Sequence, residues 1–248
     1  MVNILFTIIR YPRTLNYILQ NDLVWNKRLT NLHHLSNGFP VIQLEDIQSN
    51  FSETINTFSF LGGGSLPTDI ALLKAVCKKF KRCSYFEIGT WRGESVVNVA
   101  EIADKCYTLN LSEDEILRRF KSKKYADLHG FFSRKNPKII HLKGDSLEFN
   151  FASLNQKFDV VFIDGDHSFE AVKSDTKKVF KHLIHEKSVI IWHDYAYNPE
   201  MLRPEVICAI YEGTPKEFRE HLYYVANTLC AIFIKDPFES FKEFEPFN

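Results

Sequence analysis

The stretch FDVVFIDGDHSFE, residues 158–170, decides the fold of this chain. Its first part, residues 158–163, is a short apolar run rich in β-branched residues, which is typical of a strand buried on both faces. The run ends abruptly in DGDH, residues 164–167, which holds three ionisable side chains, and a helical pattern resumes at Ser168. Open α/β sheets bind ligands just beyond the carboxyl ends of their strands. We therefore expect this turn to lie at a functional site.

Similar strands recur along the chain and alternate with helical patterns. Five are predicted before residue 195, at 84–88, 106–111, 138–142, 158–163 and 188–192. Two more, 222–226 and 229–234, are separated by Asn227 and Thr228, which are typical of a hairpin turn. This alternation predicts a doubly wound, Rossmann-like α/β sheet of seven strands. The sheet should be mostly parallel, and the C-terminal hairpin should make its last strand antiparallel.

Residues 1–64 differ from the rest of the chain. They carry few strand signals and several turn formers, and they end in a triple glycine, 62–64. We interpret them as an N-terminal helical extension that precedes the sheet-bearing domain, residues 65–248. The apolar, lightly basic start, residues 1–20, favours a helix packed on the domain, with contact to a membrane surface or to a second subunit as alternatives. A lid over the substrate is a further role that such an extension could have.

The composition excludes several classes of function. The 248 residues include 31 Lys and Arg against 31 Asp and Glu, so the formal net charge is zero. This balance provides no overall positive field, and we expect no nucleic-acid partner. The five cysteines are odd in number and irregular in spacing, which predicts reduced thiols and a cytoplasmic location. No apolar run is long enough for an integral membrane segment.

A glycine-containing loop follows the first predicted strand. It reads E-x-G-x-x-x-G, with Glu87, Gly89 and Gly93 at the fixed positions. This pattern lacks the three glycines of a dinucleotide site, and the chain has no G-K-[ST] sequence to form a P-loop. A carboxylate directly before the turn would repel a pyrophosphate, but it suits a ligand that carries an ammonium group.

The order of these motifs resembles that of the class I S-adenosylmethionine-dependent methyltransferases, over residues 80–235. The sequence DGDHS at residues 164–168 looks like that of small-molecule and sugar O-methyltransferases in this class. The resemblance implies S-adenosylmethionine as the cofactor and a hydroxyl of a small-molecule or glycan acceptor as the methylated group. Asn110 stands where the family usually has an acid that holds the ribose. The cofactor-binding residues implied in this way are Glu87, Gly89, Thr90, Gly93, Asn110, Asp145, Ser146 and Asp164.

Two acids follow strands that should be neighbours in the sheet. Asp164 and Asp194 should therefore meet at one edge, and with His193 they form a donor set that suits Mg²⁺ or another divalent cation. The resemblance to metal-dependent O-methyltransferases implies the same acids as metal ligands. It also implies His167 as general base, with Asp164 beside it in the catalytic site. Asp166 is expected to cap the following helix instead.

Two other functions stay open on the sequence alone. A methyltransferase without a metal could act on nitrogen or oxygen through proximity and His167 alone. A non-catalytic module that binds S-adenosylmethionine is the alternative from another class. Its N-terminal extension would recruit a partner, and Asn110 favours this alternative slightly.

Overall fold

The computed structural model of the chain describes residue 10 and residues 22–238. The predicted contact of residues 1–20 with the domain, a membrane or a second subunit lies outside the described residues, which include only Arg10 of that segment. The helices of the described part are α1 (Asp22–His33), α2 (Leu44–Ile47), α3 (Pro67–Lys78), α4 (Glu94–Val99), α5 (Glu113–Phe120), α6 (Lys123–Leu128), α7 (Phe169–His182) and α8 (Pro204–Gly213).

The strands follow the alternation expected from the sequence. They are β1 (Val41–Ile42), β2 (Ser84–Ile88), β3 (Lys105–Asn110), β4 (Ile139–Lys143), β5 (Phe158–Ile163), β6 (Ile184–Trp192), β7 (Ala196–Asn198), β8 (Met201–Leu202), β9 (Leu222–Val225) and β10 (Ala231–Phe233). Short 3₁₀ turns occur at Phe151–Leu154 and Lys216–His221. None of the helices within the described residues combines the length and the apolar character that a membrane span needs.

One large sheet organises the chain, with strand order β4-β3-β2-β5-β6-β10-β9-β1. Strand β10 runs antiparallel to both of its neighbours, whereas the other pairings in this sheet are parallel. The predicted doubly wound, mostly parallel fold with an antiparallel C-terminal hairpin is confirmed. Strand β2 lies between β3 and β5, so connections leave it in opposite directions, and a crevice opens there at the carboxyl ends of the strands.

The sheet has eight strands in the described residues, one more than the sequence predicts. The additional strand is β1, in which Val41 and Ile42 pair in parallel with Tyr224 and Val225 of β9. Two residues are too few to produce a recognisable alternation, so no strand is predicted at this place. The segment before residue 65 therefore contributes an edge to the sheet. Strands β7 and β8 form a separate antiparallel pair.

Both faces of the sheet are buried, because successive side chains of each strand point to opposite faces. On one face, Phe86 and Val161 belong to a core cluster that also includes much of α7 and α8. On the other face, Tyr85 and Val160 pack with the apolar residues of α3 and α4. Burial on both faces gives these strands the continuous apolar runs by which they are recognised in the sequence.

Candidate functional site

The loop after β2 lies directly against the turn after β5. Gly89 and Gly93 have φ angles of +92° and +85°, which favour glycine. A Cβ atom on Gly89 would collide with the carbonyl oxygen of Asp164, and one on Gly93 would collide with Ser133 Oγ. The glycines therefore allow the backbone of the loop to pass close to its neighbours, and Gly93 caps the start of α4.

A cavity of about 440 Å³ opens at the carboxyl ends of β2, β3, β4 and β5. Its size falls within the range of small-molecule sites. Six of the eight residues predicted to bind the cofactor line it, namely Gly89, Thr90, Asn110, Asp145, Ser146 and Asp164. The predicted base His167 lines the same cavity. The structure thus brings together residues from four separate turns, as the sheet topology requires.

Glu87 and Gly93 do not line this cavity. The Glu87 carboxyl is fully buried and accepts hydrogen bonds from Tyr85 Oη at 2.8 Å, Ser95 Oγ at 2.7 Å and Thr108 Oγ1 at 3.3 Å. Burial raises the pKa of Glu87 to about 8, although these hydrogen bonds act in the opposite direction. The Glu87 carboxyl is therefore hydrogen-bonded inside the protein, next to the glycine loop. The sequence alone suggests instead that it contacts an ammonium group of the ligand.

Asn110 ends β3 and contacts a histidine that the sequence gives no reason to select. Its Nδ2 lies 3.0 Å from Nδ1 of His129 and 3.3 Å from the carbonyl oxygen of Leu111. Burial, together with the charge of Lys143, lowers the pKa of His129 to about 4. His129 is therefore neutral at physiological pH and can donate from one ring nitrogen only.

Asp145 and Ser146 follow β4 at the opposite wall of the cavity. Asp145 accepts hydrogen bonds from Arg119 Nη2 at 2.6 Å and from the Leu147 backbone at 3.0 Å. Ser146 Oγ donates to Asp175 Oδ2 at 3.0 Å. Burial raises the pKa of Asp175 to about 7. Both predicted residues thus line the cavity while they already bind protein groups.

The turns after β5 and β6 bring His167 and Asp194 together. Nδ1 of His167 lies 2.8 Å from Oδ2 of Asp194. Partial desolvation acts to lower the pKa of His167, whose side chain is still 45% exposed, but the hydrogen bond to Asp194 and the negative charges of Asp194 and Asp164 raise it above its ordinary value. Asp194 also lies 3.4 Å from Nη1 of Arg203. Burial acts to raise the pKa of Asp194, yet its two histidine partners hold it well below its usual range.

His193 is buried between carboxylates. Its Nδ1 lies 3.1 Å from both Asp164 Oδ1 and Asp194 Oδ2, and its Nε2 lies 3.1 Å from Asp69 Oδ2. Carboxylates only accept hydrogen bonds, so both ring nitrogens donate and the ring is an imidazolium. Burial opposes this charge, but Asp164 and the other two acids raise the pKa of His193 well above its ordinary value.

The donor set at this edge suits a divalent cation by residue type. Asp164, His167 and Asp194 each offer one donor atom, and these atoms lie within 4.8 Å of one another. This group contains His167 where the sequence predicts His193 as the nitrogen ligand. The His193 imidazolium and the guanidinium of Arg203 already balance the charges of Asp164 and Asp194, so an ion would have to displace the His193 proton or lie near Arg203.

Asp166 stabilises the turn before α7, but it does not occupy the N-cap position that the sequence predicts for it. Its Oδ1 accepts a hydrogen bond of 2.7 Å from the backbone N–H of Ser168, the residue that caps α7. Sequence reasoning missed Asp69, His129 and Arg203 as members of the site. The position of Asp69 in the first turn of α3 can be recognised from the sequence. Nothing in the sequence, however, indicates that Asp69, His129 or Arg203 lies near the turn 164–167.

Residues 86–195 match the family described as Methyltransferase domain. The matched segment extends from β2 to the turn after β6, and it contains the glycine loop and the His167–Asp194 pair. This match supports the enzyme class predicted from the sequence, an S-adenosylmethionine-dependent methyltransferase. No curated protein sequence matches the chain.

Solved structures of methyltransferases are similar to the chain at low sequence identity. The Podospora anserina methyltransferase PaMTH1, bound to S-adenosylhomocysteine, is 16% identical, with a TM-score of 0.48 over 70% of this chain and 80% of its own. An O-methyltransferase from Bacillus cereus, also in complex with S-adenosylhomocysteine, is 18% identical, with a TM-score of 0.45 over 77% of this chain and 90% of its own.

Proposed function

We propose that this protein transfers the methyl group of S-adenosylmethionine to a hydroxyl of a small-molecule or glycan acceptor, with His167 as general base. The observation that carries the proposal is the hydrogen bond between His167 and Asp194 at the wall of the cavity that contains the glycine loop. This bond engages Nδ1 of His167, so Nε2 is the nitrogen that can receive a proton. The family match over residues 86–195 supports methyl transfer as the reaction class.

The residues of the cavity wall would contribute to this reaction in three ways. Bound S-adenosylmethionine would supply a methyl group on a sulfonium, and Asp164 at the cavity wall would stabilise that positive charge. His167 Nε2 would take the proton of the acceptor hydroxyl as the hydroxyl oxygen bonds to the methyl carbon, while the bond from that carbon to sulfur breaks and S-adenosylhomocysteine leaves. Asp194 orients the imidazole and stabilises the imidazolium that forms. The rest of the reaction depends on positioning, for which a cavity lined by residues from several strand ends is suited.

In a second form of this proposal, the protein also binds a divalent cation. Asp164 and Asp194 would be the shared ligands, and either His193 or His167 would provide the nitrogen donor. Such an ion would act as a Lewis acid toward the acceptor oxygen. His167 cannot ligate through Nδ1 and also keep its hydrogen bond to Asp194 at that atom. Because His193 and Arg203 already neutralise the acids, the form without metal is the one we favour.

Segment 1–64 is proposed to shape the acceptor side of the cavity. Gly63 lines the cavity beside Trp91. Buried Arg92 holds the adjacent backbone, since it donates to the carbonyl oxygens of Gly62 at 2.9 Å and Leu61 at 3.1 Å. Arg92 also forms an ion pair of 2.7 Å with Glu94. These contacts tie the end of the segment to the glycine loop.

Calorimetric titration with S-adenosylhomocysteine tests the cofactor first. Saturable binding at one site per chain is expected, and no binding at millimolar ligand would overturn every methyl-transfer proposal. The acceptor is then sought with S-adenosylmethionine labelled in the methyl group, against a panel of phenols, catechols and sugars. Label on oxygen supports the proposal, whereas label only on nitrogen contradicts it.

Metal dependence is tested separately. Chelator-treated protein should keep its activity if the His167–Asp194 pair acts without an ion. Binding of Mn²⁺, followed by electron paramagnetic resonance, distinguishes the two possible nitrogen ligands. A tight site that is lost in His193→Gln and kept in His167→Gln would support the ligand set predicted from the sequence. The reverse pattern would assign His167 to the metal and would remove it as the general base, because the lone pair that accepts a proton would then bind the ion.

A further inference from the structure

Exposed apolar side chains are concentrated around the mouth of the cavity. Nine large apolar residues of the described part are exposed, and five of them form a group that we call the mouth patch, namely Phe60, Leu61, Phe120, Phe131 and Leu147. Phe120 and Leu147 line the cavity themselves, and the other three lie within three residues of Gly63 or His129, which also line it. Single exposed apolar residues are ordinary on a protein surface, but a group around one opening indicates an interaction surface.

Polar contacts hold the most exposed of these residues in place. Phe60 is 98% exposed. On one side of it, Ser59 Oγ donates to Glu94 Oε1 at 2.7 Å, and on the other, Arg92 Nη2 donates to the carbonyl oxygen of Leu61 at 3.1 Å. The backbone is thus anchored on both sides of Phe60 while its ring stays in water. A partner that removes this ring from water would gain free energy.

A basic segment, residues 118–135, lies at the same opening. It contains seven lysines and arginines against one acid, Asp127. All seven are exposed, namely Arg118, Arg119, Lys121, Lys123, Lys124, Arg134 and Lys135. Since the whole chain has no net charge, the rest of it carries an excess of acids, and this positive charge is local. The part of the segment from Arg119 to His129 contributes four residues to the cavity lining.

Four of these seven charges have no acidic partner. The other three form ion pairs, namely Arg118 with Glu115, Arg119 with Asp145, and Lys123 with Glu113 and Asp127. Within the described part of the chain, Lys121, Lys124 and Lys135 form no ion pair. Arg134 donates to backbone carbonyls only. Free positive charges beside the mouth patch are complementary to a surface that is both anionic and apolar.

A membrane that contains anionic phospholipids has both properties. Aromatic and aliphatic side chains insert at the boundary between head groups and acyl chains, and each nearby lysine or arginine adds attraction to the head groups. A single-stranded nucleic acid would instead need flat aromatic faces for its bases, which the aliphatic Leu61 and Leu147 do not provide. A second copy of the chain in a symmetric contact would bring two basic segments together, and these repel each other.

We infer that the mouth patch and the basic segment 118–135 bind the surface of an anionic lipid membrane. The contact is peripheral, since only side chains at turns and at helix ends would enter the lipid. It places the cavity opening at the membrane surface. The inference does not depend on methyl transfer. It also differs from the membrane contact considered for residues 1–20, because it assigns the contact to the domain that contains the cavity.

Sedimentation of the full chain with vesicles tests the inference. Vesicles of phosphatidylcholine alone are compared with vesicles that also contain about 30% phosphatidylglycerol. Binding to the anionic vesicles should be about tenfold tighter or more at about 0.1 M salt, and this preference should be lost at about 1 M salt, where charges are screened within about 3 Å. Equal binding to both kinds of vesicle at low salt, or binding to neither, would overturn the inference.

An apolar substitution locates the contact on the protein. Phe60→Ser should weaken binding to the anionic vesicles about tenfold, because one aromatic side chain no longer leaves water. Leu32→Ser is the control, since Leu32 is 62% exposed on α1 and lies outside the mouth patch. Both side chains are exposed, so the two variants should unfold at the same temperature as the wild type.

A charge reversal tests the basic segment independently. Lys124→Glu combined with Lys135→Glu should weaken binding to the anionic vesicles more than tenfold and leave binding to phosphatidylcholine unchanged. The control reverses two exposed lysines of α7, Lys177→Glu combined with Lys181→Glu, which changes the net charge equally. An equal loss in the control would mean that net charge alone drives binding, and the inference would fail.

Two further outcomes would also contradict the inference. If the wild type binds the anionic vesicles while Phe60→Ser and the reversed lysines of the basic segment keep its affinity, another part of the chain makes the contact. If a single-stranded oligonucleotide displaces the protein from the vesicles and binds Phe60→Ser as tightly as the wild type, the partner of the basic segment is a nucleic acid.

Discussion

Nδ1 of His167 lies 2.8 Å from Oδ2 of Asp194, although the two residues leave the sheet from different strands. The strands are parallel neighbours, and Ile163 at the end of β5 pairs with Trp192 at the end of β6. Their exit turns therefore meet at one edge, as the sequence predicts for the two acids. Arg203, which follows the small β7–β8 hairpin, also reaches that edge, with its Nη1 3.4 Å from Oδ1 of Asp194. His167 and His193 keep Asp194 ionised.

Removal of either member of this pair should abolish most methyl transfer while cofactor binding persists. We expect His167→Gln to lower turnover by about 10²–10⁴-fold, the usual contribution of a positioned base. Asp194→Asn should lower turnover as well, because an amide does not stabilise the imidazolium that forms and can turn a donor toward Nδ1 of His167. The affinity for S-adenosylhomocysteine should stay within about threefold of wild type in His167→Gln, since a base toward the acceptor contributes little to cofactor binding.

A matched control for this pair exists elsewhere on the protein. Nε2 of His185 lies 3.1 Å from Oδ1 of Asp159, in a histidine–carboxylate pair that does not line the cavity. His185→Gln should leave turnover unchanged. Full turnover in His167→Gln, with acceptor saturating, would remove His167 from the mechanism.

The glycine loop gives a prediction about stability. Gly89→Ala should destabilise the protein by more than about 2 kcal/mol, because the residue has a φ of +92° and its Cβ would collide with the Asp164 carbonyl. Gly62→Ala is the control, since a Cβ there meets nothing within 4 Å. Denaturant unfolding of both variants measures the difference. Equal stability of the two variants would contradict the packing of this loop on β5.

The sequence predicts the main sheet well because its strands are buried on both faces. The runs at 84–88 and 158–163 are recognisable since no polar alternation interrupts the apolar pattern, and the structure has strands with the same bounds. The two-residue strand β1 and the β7–β8 pair carry no such pattern. They depend on long-range pairing, which local sequence does not encode.

The sequence predicts only those site residues that directly follow a strand. Asp164, Asp145 and Asn110 each follow a strand, and parallel strands bring them to one edge. The sequence does not predict the role of Glu87, because its carboxyl is held by hydrogen bonds from Tyr85, Ser95 and Thr108. Nothing in its spacing reveals that it points into the protein.

Asp69 should be a stability determinant rather than a surface acid of α3. Its carboxylate is fully buried and accepts from the backbone of Leu66 at 2.6 Å and Leu229 at 2.7 Å, besides its contact with His193. Asp69→Asn replaces one acceptor by a donor that faces another donor, and it removes a charge next to the His193 imidazolium. We expect a loss of about 3 kcal/mol in the free energy of unfolding.

The control for Asp69 is an exposed acid in the first turn of another helix. Asp114 lies in the first turn of α5, and Asp114→Asn removes the same charge without a buried contact. Its effect should stay within about 0.5 kcal/mol. If urea unfolding gives equal values for the two variants, the buried Asp69–His193 contact does not contribute to stability.

Glu87→Gln should make the protein more stable at neutral and alkaline pH. In the folded chain, burial raises the pKa of Glu87 from 4.5 to about 8. The folded state therefore holds a proton that the unfolded chain releases, and wild-type stability falls as pH rises through this interval, by at most about 1.4 kcal/mol per pH unit. Glutamine has no proton to lose, and its amide can accept from Tyr85 and Ser95 while it donates to Thr108.

Urea unfolding across this interval measures the effect as a difference between variant and wild type. The advantage of Glu87→Gln should grow from pH 5 to pH 8 by roughly 3 kcal/mol, whereas Glu148→Gln, at an exposed position, controls for the loss of one charge. Affinity for S-adenosylhomocysteine should be nearly unchanged, because Glu87 does not line the cavity. A tenfold loss of affinity without a gain in stability would instead support the contact with an ammonium group that the sequence suggests, since a charged contact of that kind is lost with the carboxylate.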